Sequence, residues 1–549
     1  MRARIAALAV ALSAAFTSTP APAAVAPSGE AQMVGVVEHV ANLPYSGGSD
    51  VELGTEQVVK LSNGATGDPV CRTDASGGCL VDEDGGVIYE TQLRDFAFAG
   101  RLGANAWVID VTDPRAPVKV AELPCSMTQN DIQLWGSLVL QAADNTSGRC
   151  TYPDGTVSLS TVGISDVSDP RNPVLLGTFR ESRGAHNVTV HPTQPLAYVS
   201  NSDQTGDGRV HIWDFTNPAA PVKVQDWVYL PVESPHDITF SADGSRAYLA
   251  ARTLTHIVNT EDPRAPVVIS SVPHHGYLSH QSDPTPDGNY LLVAEELLGG
   301  GFDTPSPGGP VWVWDIRDEA HPVEIGAIAN DETGLNGVST AHVFRINPDG
   351  YTMAIAWYSD GFAVVDYSSI AGANAAGLGT QAGAGPRVVA SARMPGADAW
   401  SAKMWQERHP GYVFVNDISR GFDVFYVAEL GADFVAQATI HAGHRGSYAA
   451  DTGVTRNEFV AECTTDLDNQ GVDGWALEVP GGARSMSALG TSRSAYDLDF
   501  YFFDAQCGLV AEDEDAGTNE TAEVPPEAEY ALVTSYAEGG LVRVRITAS

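Results

Sequence analysis

Residues 108–118 read VIDVTDPRAPV, and this pattern recurs along the chain. Close copies are ISDVSDPRNPV at residues 164–174 and IWDFTNPAAPV at 212–222, and weaker copies are IVNTEDPRAPV at 257–267 and VWDIRDEAHPV at 313–323. The second prolines stand at positions 117, 173, 221, 266 and 322, so the period is 45–56 residues. A repeat of about 40–50 residues built from short strands is typical of a β-propeller, in which each repeat forms one four-stranded blade.

The unit at residues 236–272 shows how one repeat divides into four strands. Residues 236–240 alternate between polar and apolar side chains and lead to Asp243-Gly244, a hairpin turn. Residues 247–251 form the strand that returns from this turn. Ile257-Val258 leads into the Asp-Pro-x-x-Pro turn, and residues 267–272 close the unit. Proline ends the third strand because it has no N–H to donate to a neighbouring strand.

Alignment of the first strands predicts seven blades. The residues that open these strands are Arg94, Asn130, His186, His236, His280, His342 and Ser401. Residues 33–40 resemble a fourth strand with no strands before it, so we expect them to complete the last blade and close the ring, which removes exposed sheet edges.

The quoted copies resemble the LVIVD-repeat family of secreted bacterial β-propellers. The resemblance covers roughly residues 33–430, and the propeller domain is predicted to span residues 30–445. The sixth and seventh units depart from the pattern: Val364-Val365-Asp366 lacks the following Asp-Pro, and Val424-Phe425-Tyr426 lacks the Asp. The resemblance implies a fold and little about activity, because propellers carry many functions.

The sequence pattern of the last hundred residues differs from that of the repeats. DLDFYFFD at residues 497–504 and the strand-like segments at 529–533 and 541–546 resemble the pre-peptidase C-terminal type of β-sandwich. We therefore expect an all-β chain, with a seven-bladed propeller followed by a jelly-roll-like β-sandwich at residues 452–549. The resemblance implies an accessory role for this domain.

Four histidines occupy equivalent places in successive repeats: His186, His236, His280 and His342. Because each opens the innermost strand of its blade, all four are expected at one mouth of the central channel. Neutral imidazole is the commonest metal ligand and suits transition metals. Glu295 and Glu296 end a second strand at the same mouth, where a carboxylate can orient a ligating histidine.

Three interpretations of this ring remain open. The histidines hydrogen-bond to neighbouring blades as repeated structural residues, or they form a metal or substrate site for Cu, Fe, Zn or Mn, or the alignment of the first strands is shifted and the four do not occupy equivalent places. The position tolerates other polar groups, because Arg94, Asn130 and Ser401 occupy it elsewhere. Trp357-Tyr358, at a strand end, is a further candidate for stacking on a ligand.

Charge and targeting signals set the cellular context. The chain has 549 residues and a formal net charge of −39, which argues against nucleic acid as a partner. Residues 1–23 read as a secretory signal: two arginines, an apolar run and the small-residue site Ala21-Pro22-Ala23. No later run reaches about 18 apolar residues, so no transmembrane segment is predicted. We expect a secreted or extracellular protein, with the periplasm or the cell surface as alternatives.

Six cysteines fit that oxidising location. Proximity along the chain favours the disulfides Cys71–Cys79, Cys125–Cys150 and Cys463–Cys507, out of the 15 pairings that six cysteines allow. A thiol-ligated metal is the alternative, but the chain contains no C-x-x-C.

Other candidates are weaker. His274, His275, His441 and His444 fall in connections, and the Gly/Pro-rich loop at residues 297–310 is expected near the channel mouth. Acidic loops at residues 466–469 and 513–515 offer oxygen ligands to Ca²⁺ but lack the spaced EF-hand pattern, which favours a solvated surface.

Two functions of different classes follow. The first is a secreted propeller that binds an extracellular ligand or protein at its axial mouth. The second is a metal-dependent extracellular oxidoreductase with His186, His236, His280 and His342 as ligands and Glu295 or Glu296 orienting them. The chain lacks the Gly-x-Ser-x-Gly, His-Glu-x-x-His and phosphate-loop motifs.

Overall fold

The structure is a computed structural model of the chain. The residues that it describes are 32–34, 37–62, 67–73, 76–82, 85–201, 208–229, 234–273, 278–296, 309–328, 340–347, 352–367, 370, 386–427, 434–440, 474–478, 483–490, 498–504, 509–513, 519–526, 528, 530–535 and 540–548. The expected signal at residues 1–23 lies outside them. Among the described residues, no helix is both long and apolar enough to cross a membrane.

Seven antiparallel sheets form the blades of a β-propeller, which confirms the predicted fold. The strands of blade 1, from the axis outward, are β3 (Gly48–Val59), β4 (Thr91–Arg101), β5 (Ala104–Asp110) and β6 (Val118–Met127), with β9 (Gly148–Thr151) and β10 (Val157–Ser160) added at the outer edge. Blade 2 contains β7 (Asp131–Trp135), β8 (Leu138–Ala142), β11 (Val162–Asp166) and β12 (Val174–Phe179).

The next three blades follow the repeat without additions. Blade 3 contains β13 (Asn187–Val190), β14 (Leu196–Ser200), β15 (Arg209–Asp214) and β16 (Val222–Val228). Blade 4 contains β17 (Pro235–Phe240), β18 (Arg246–Ala251), β19 (Leu254–Asn259) and β20 (Val267–Pro273), as the sequence pattern predicts. Blade 5 contains β21 (Leu278–Pro284), β22 (Tyr290–Glu296), β23 (Val311–Asp315) and β24 (Val323–Ile328).

The last two blades include strands from the start of the chain. Blade 6 contains β25 (Phe344–Ile346), β26 (Thr352–Ala356), β27 (Phe362–Asp366), β28 (Arg387–Arg393) and β1 (Gln32–Val34). Blade 7 contains β29 (Ala399–Met404), β30 (Tyr412–Asp417), β31 (Gly421–Val427) and β2 (Val37–Pro44).

The N-terminal segment closes the ring, as predicted for residues 33–40. Strand β2 pairs with β31 as the outer strand of blade 7, and the His39 Nε2 atom lies 2.7 Å from the Asp423 carboxylate. The preceding strand β1 pairs with β28 of blade 6 instead. The beginning of the chain therefore binds two neighbouring blades.

The repeated Asp-Pro-x-x-Pro motif forms the same turn in each copy. In the first copy the Ala116 N–H donates to the Asp113 carbonyl at 3.0 Å, and the Arg115 N–H donates to the Asp113 carboxylate at 3.0 Å. The other four copies have the equivalent pair of bonds at Asp169, Asn217, Asp262 and Asp318. An aspartate or asparagine therefore recurs because it stabilises the turn between the third and fourth strands.

Two alignments of the first strands are wrong. In blade 1 the innermost strand is β3, and Arg94 lies on the second strand, because a long connection separates β3 from β4 and breaks the repeat spacing. In blade 7 a β-bulge between Ala399 and Ser401 shifts the register by one residue. Trp400, not Ser401, therefore occupies the position of the histidines.

Two of the three predicted disulfides are present, Cys71–Cys79 and Cys125–Cys150. The second one joins β6 to β9 and so attaches the added strands to blade 1. Cys463 and Cys507 lie outside the described residues.

Two further four-stranded sheets follow the propeller. One contains β32 (Phe434–Ile440), β39 (Gly540–Ala548), β34 (Ala483–Gly490) and β37 (Asn519–Glu523), and the other contains β33 (Gly474–Glu478), β38 (Tyr530–Ser535), β35 (Leu498–Phe503) and β36 (Leu509–Asp513). Strand β32, which the sequence analysis includes in the propeller, pairs with β39. Of the residues proposed for Ca²⁺, only Asp513 is described, at the end of β36.

Candidate functional site

The four repeated histidines meet at one end of the propeller axis. Each precedes or opens the innermost strand of its blade, and β-bulges at His236 and His280 turn these residues out of the regular register. The ring centroids are 4.3 Å apart for His186 and His236, 4.4 Å for His236 and His280, and 3.9 Å for His280 and His342. The imidazoles thus form a continuous arc across blades 3 to 6, which we call the histidine mouth.

Three of these rings have the Nδ1 atom beside an acceptor. His186 Nδ1 lies 2.9 Å from the Asp144 carboxylate, and His236 Nδ1 lies 2.9 Å from the His280 carbonyl oxygen. His342 Nδ1 lies 2.6 Å from the Trp400 carbonyl oxygen. A carbonyl oxygen or an ionised carboxylate accepts only, so Nδ1 carries the hydrogen in all three rings. In the neutral rings the lone pair is therefore on Nε2.

The Nε2 atoms face one another inside the arc. His186 Nε2 and His236 Nε2 are 2.8 Å apart, although the Nδ1 contacts assign a lone pair to each of them in its neutral form. Two lone pairs repel at this distance, so the contact requires a proton or another cation between the nitrogens.

His280 differs from the other three. It is 6% exposed, and its Nδ1 atom has no hydrogen-bond partner among the described residues. Its Nε2 atom lies 3.9 Å from the Glu296 carboxylate, beyond hydrogen-bond distance. A buried polar atom without a partner costs free energy, so its presence calls for a specific reason.

Glu296 brings a carboxylate to the same place. It is 3% exposed, one of its oxygens accepts a 2.6 Å hydrogen bond from the Tyr358 hydroxyl, and that oxygen lies 3.6 Å from His342 Nε2. Ligand atoms of His236, His280 and Glu296 all lie within 4.8 Å of one another. These three residues are close enough to share one ion.

Glu295 points elsewhere. Its carboxylate accepts a 2.6 Å hydrogen bond from the Trp312 indole N–H, because neighbouring residues on a strand face opposite sides of the sheet. Of the two glutamates predicted to orient the histidines, the structure brings only Glu296 to them. Trp357 and Tyr358 divide in the same way: Trp357 is buried in the core between blades 5 and 6, and Tyr358 packs on the His342 ring with centroids 4.5 Å apart.

Burial sets the protonation of the mouth. It lowers the pKa of His236 and His280 well below the usual value, helped by the neighbouring imidazoles, and lowers the pKa of His342 to about 3. Burial also raises the pKa of Glu296 to about 7, against the lowering effect of the Tyr358 hydrogen bond. At neutral pH His236, His280 and His342 are therefore uncharged.

Sequence reasoning missed two residues of this site, Asp144 and Trp400. Asp144 belongs to no repeat motif, and Trp400 is displaced by the bulge in blade 7. Asn130 occupies the equivalent place in blade 2 but turns into the protein, where its amide donates to the Arg101 and Ala104 carbonyls and accepts from Gln141. Asn130 shows the bonding of a purely structural residue at this position, with every polar atom of its side chain paired.

An axial cavity of about 230 Å³ lies against the histidine mouth. The innermost strands line it, and because alternate residues of a strand face the same side, each strand contributes residues two apart. The pairs are Asp50 and Glu52, Asp131 and Gln133, Asn187 and Thr189, Asp237 and Thr239, Gln281 and Asp283, and Val343 and Arg345, with Lys403 from β29. Five carboxylates and two cationic groups thus share one cavity.

The two cations pair with only one side of the cavity. Lys403 Nζ lies 2.5 Å from Glu52 and 3.2 Å from Asp50, and Arg345 lies 3.1 Å from Glu52. On blades 2, 4 and 5, Asp131, Asp237 and Asp283 have no cationic partner at salt-bridge distance in the described part of the chain. Their side-chain contacts are backbone amides, Asn187, Thr239 and Gln281.

The unpaired carboxylates are electrostatically unfavourable as they stand. Burial raises the pKa of Asp131 well above its usual value, and repulsion by Asp50 adds to this effect. Burial likewise raises the pKa of Asp237, with repulsion by Asp283 second. A cation that entered the cavity would favour the ionised carboxylates and so oppose the rise of both pKa values.

Comparisons with known proteins reveal no family. No protein-family model matches the chain, and no curated protein matches it. Similar solved structures include the β-propeller domain of Cps50 (Swd1) from Myceliophteria thermophila, with 12% identity and a TM-score of 0.41 over 60% of this chain and 93% of that one. Another is a protein from Lactobacillus plantarum, with 12% identity and a TM-score of 0.42 over 59% of this chain and 84% of that one. The assignment of a seven-bladed β-propeller therefore comes from the strand pairing of the chain itself.

Proposed function

We propose that the protein is a binding protein that holds a small organic cation, such as an amine, in its axial cavity. The observation that carries this proposal is the set of three inward-facing carboxylates, Asp131, Asp237 and Asp283, that lack a cationic partner among the described residues. An ammonium group supplies the missing charge and several N–H donors.

The size and spacing of the cavity favour an organic cation over a bare metal ion. A 150 Å³ cavity is enough for benzene, so about 230 Å³ accommodates a molecule of roughly ten non-hydrogen atoms. Among the described residues, the only group of three His, Cys, Asp or Glu side chains with ligand atoms within 4.8 Å of one another is at the histidine mouth. No three of the cavity carboxylates are therefore close enough to share one ion, but a molecule with separated donors can reach more than one of them.

Calorimetric titration with butane-1,4-diamine tests this proposal on protein stripped of metal with EDTA. Butane-1,4-diol and succinate are the matched neutral and anionic probes. We expect binding of the diamine only, and we expect Asp131→Asn or Asp237→Asn to weaken it about ten-fold or more, as for loss of a hydrogen bond to a charged group. Asp154→Asn, in an exposed turn, is the matched control.

Equal binding of the diol, or unchanged diamine affinity in both variants, would refute the proposal. The variants keep the shape of the side chain and its ability to accept the backbone hydrogen bonds from Val188 and Ile238. A difference between them and the control therefore reports on charge.

A second candidate is a metal-dependent oxidoreductase. The favouring observation is that His186, His236 and His280 line the cavity itself, so a ligand held there lies against the imidazoles. Oxygen consumption by metal-loaded protein in the presence of a bound amine tests this candidate, with His236→Gln as the inactive reference.

We further propose that the chain is exported and that its C-terminal sheets form an accessory β-sandwich. The two disulfides support export, because structural disulfides persist in oxidising compartments. Cell fractionation combined with sequencing of the mature N-terminus tests export, with cleavage expected after Ala23.

A further inference from the structure

We propose that His236, His280 and Glu296 bind one transition-metal ion at the histidine mouth, that a small movement brings His186 to it as a fourth ligand, and that His342 stands beside Glu296. The site lies at the entrance of the axial cavity, and the inference does not depend on which ligand the cavity holds. Three arguments from the geometry support it.

The first argument is the direction of the lone pairs. The Nδ1 hydrogens of His186 and His236 are fixed by Asp144 and by the His280 carbonyl, which leaves Nε2 of each ring free to coordinate. Metal-binding histidines commonly donate the other ring N–H to a carboxylate or a backbone carbonyl, which fixes the tautomer and the ring orientation. Both rings show this arrangement without any rearrangement.

The second argument is the distance between the nitrogens. The two Nε2 atoms are 2.8 Å apart. Two ligands at 2.0–2.1 Å from a tetrahedral ion are about 3.3 Å apart. An increase of about 0.5 Å in this separation, which a small rotation of either ring provides, therefore lets both nitrogens bind one ion in place of a shared proton.

The third argument is His280 together with Glu296. Among the described residues no hydrogen bond to His280 Nδ1 fixes the tautomer of this ring, so Nε2 can carry the lone pair that faces Glu296. The Glu296 carboxylate is 3.9 Å from His280 Nε2, a gap that a shared ion would bridge. Tyr358 holds Glu296 in place through its 2.6 Å hydrogen bond.

The donor set defines the class of metal. Three imidazoles and one carboxylate suit Zn²⁺, Cu²⁺, Fe²⁺ or Ni²⁺, whereas Ca²⁺ and Mg²⁺ prefer oxygen ligands throughout.

Metal titration of the full chain tests the proposal. EDTA-stripped protein is titrated with Zn²⁺, and Co²⁺ is used as a spectroscopic probe. We expect one equivalent per chain and a visible absorption band of cobalt with nitrogen ligands. His236→Gln and His280→Gln should each weaken binding by more than the roughly 10–100-fold that loss of an outer partner costs. His321→Gln is the matched control, because its side chain is 83% exposed and lies on a blade turn.

Two results would overturn the proposal: absence of stoichiometric binding by wild-type protein, or wild-type affinity in both His236→Gln and His280→Gln. If a variant fails to fold, imidazole ¹⁵N spectra of the wild-type protein decide the question instead. Zn²⁺ should shift the Nε2 signals of His186 and His236, and unchanged signals would contradict coordination. Because the amine titration uses metal-free protein, failure of one proposal leaves the other open to its own test.

Discussion

Replacement of Lys403 by methionine should strongly destabilise the propeller. Lys403 lies on β29 of blade 7, and its Nζ atom contacts Glu52 at 2.5 Å and Asp50 at 3.2 Å, both on β3 of blade 1. Burial raises the pKa of Asp50, and Lys403 opposes that rise. The ion pair therefore joins the last blade to the first, at the point where the ring closes.

The size of the effect follows from burial. The side chains of Lys403, Asp50 and Glu52 are only 8%, 9% and 12% exposed, and removing one partner of a buried ion pair costs about 3–5 kcal/mol. Arg345 still neutralises Glu52 from 3.1 Å, which places the expected cost near 3 kcal/mol. Lys60→Met is the matched control, because the Lys60–Glu90 pair is 49% and 43% exposed and such surface pairs contribute at most about 1 kcal/mol.

Guanidinium denaturation at pH 7 and pH 5 measures both variants. In Lys403→Met the pKa of Asp50 should rise further, so the folded state takes up a proton more readily than the unfolded state. The free-energy cost of Lys403→Met is then full when the pH is above the folded-state pKa of Asp50. It decreases as the pH falls toward about 4, the ordinary pKa of an aspartate. A cost below 1 kcal/mol at pH 7, or a cost that grows on acidification, would refute this account of ring closure.

Three further outcomes are expected. Burial raises the pKa of Asp95, but contacts with the side chains of His409, Arg408 and Thr55 outweigh burial and lower that pKa to about 2. The resulting stability of about 2 kcal/mol is present above pH 4 and lost between pH 4 and pH 2. Acid unfolding of Asp95→Asn should therefore be flatter over that interval than that of wild type. Gly163→Ala should lower the free energy of unfolding by about 1–3 kcal/mol in thermal unfolding, because an added Cβ would overlap the Cys125–Cys150 disulfide at 2.8 Å from the Cys150 sulfur. A variant as stable as wild type would show that the disulfide can move aside. Asp144→Asn should lower Zn²⁺ affinity about 10–100-fold in competition titrations, because Asp144 fixes the His186 tautomer. Unchanged affinity would show that Asp144 does not position His186 for the metal.

The repeats determine most of the fold. Three copies of the Asp-Pro-x-x-Pro pattern and two variants of it specify the turns, because an aspartate or asparagine at a fixed position accepts local hydrogen bonds that do not depend on the rest of the chain. The same spacing predicts that His186, His236, His280 and His342 share one mouth. The predicted alignment is wrong at Arg94, where a long connection interrupts the repeat, and at Ser401, where a β-bulge shifts the register.

Only the tertiary structure decides how the site is completed. Glu296 and Glu295 are adjacent in sequence, and strand geometry sends one to the histidines and the other to Trp312. Asp144 reaches His186 from the preceding blade, and Lys403, Glu52 and Arg345 meet only because blades 6, 7 and 1 surround one axis. The repeated residues specify the turns and strands within each blade, whereas contacts across the channel depend on closure of the ring. For this reason the sequence by itself determined the propeller and the place of the histidines, and the packing of the seven blades decided which nitrogens and carboxylates face one another.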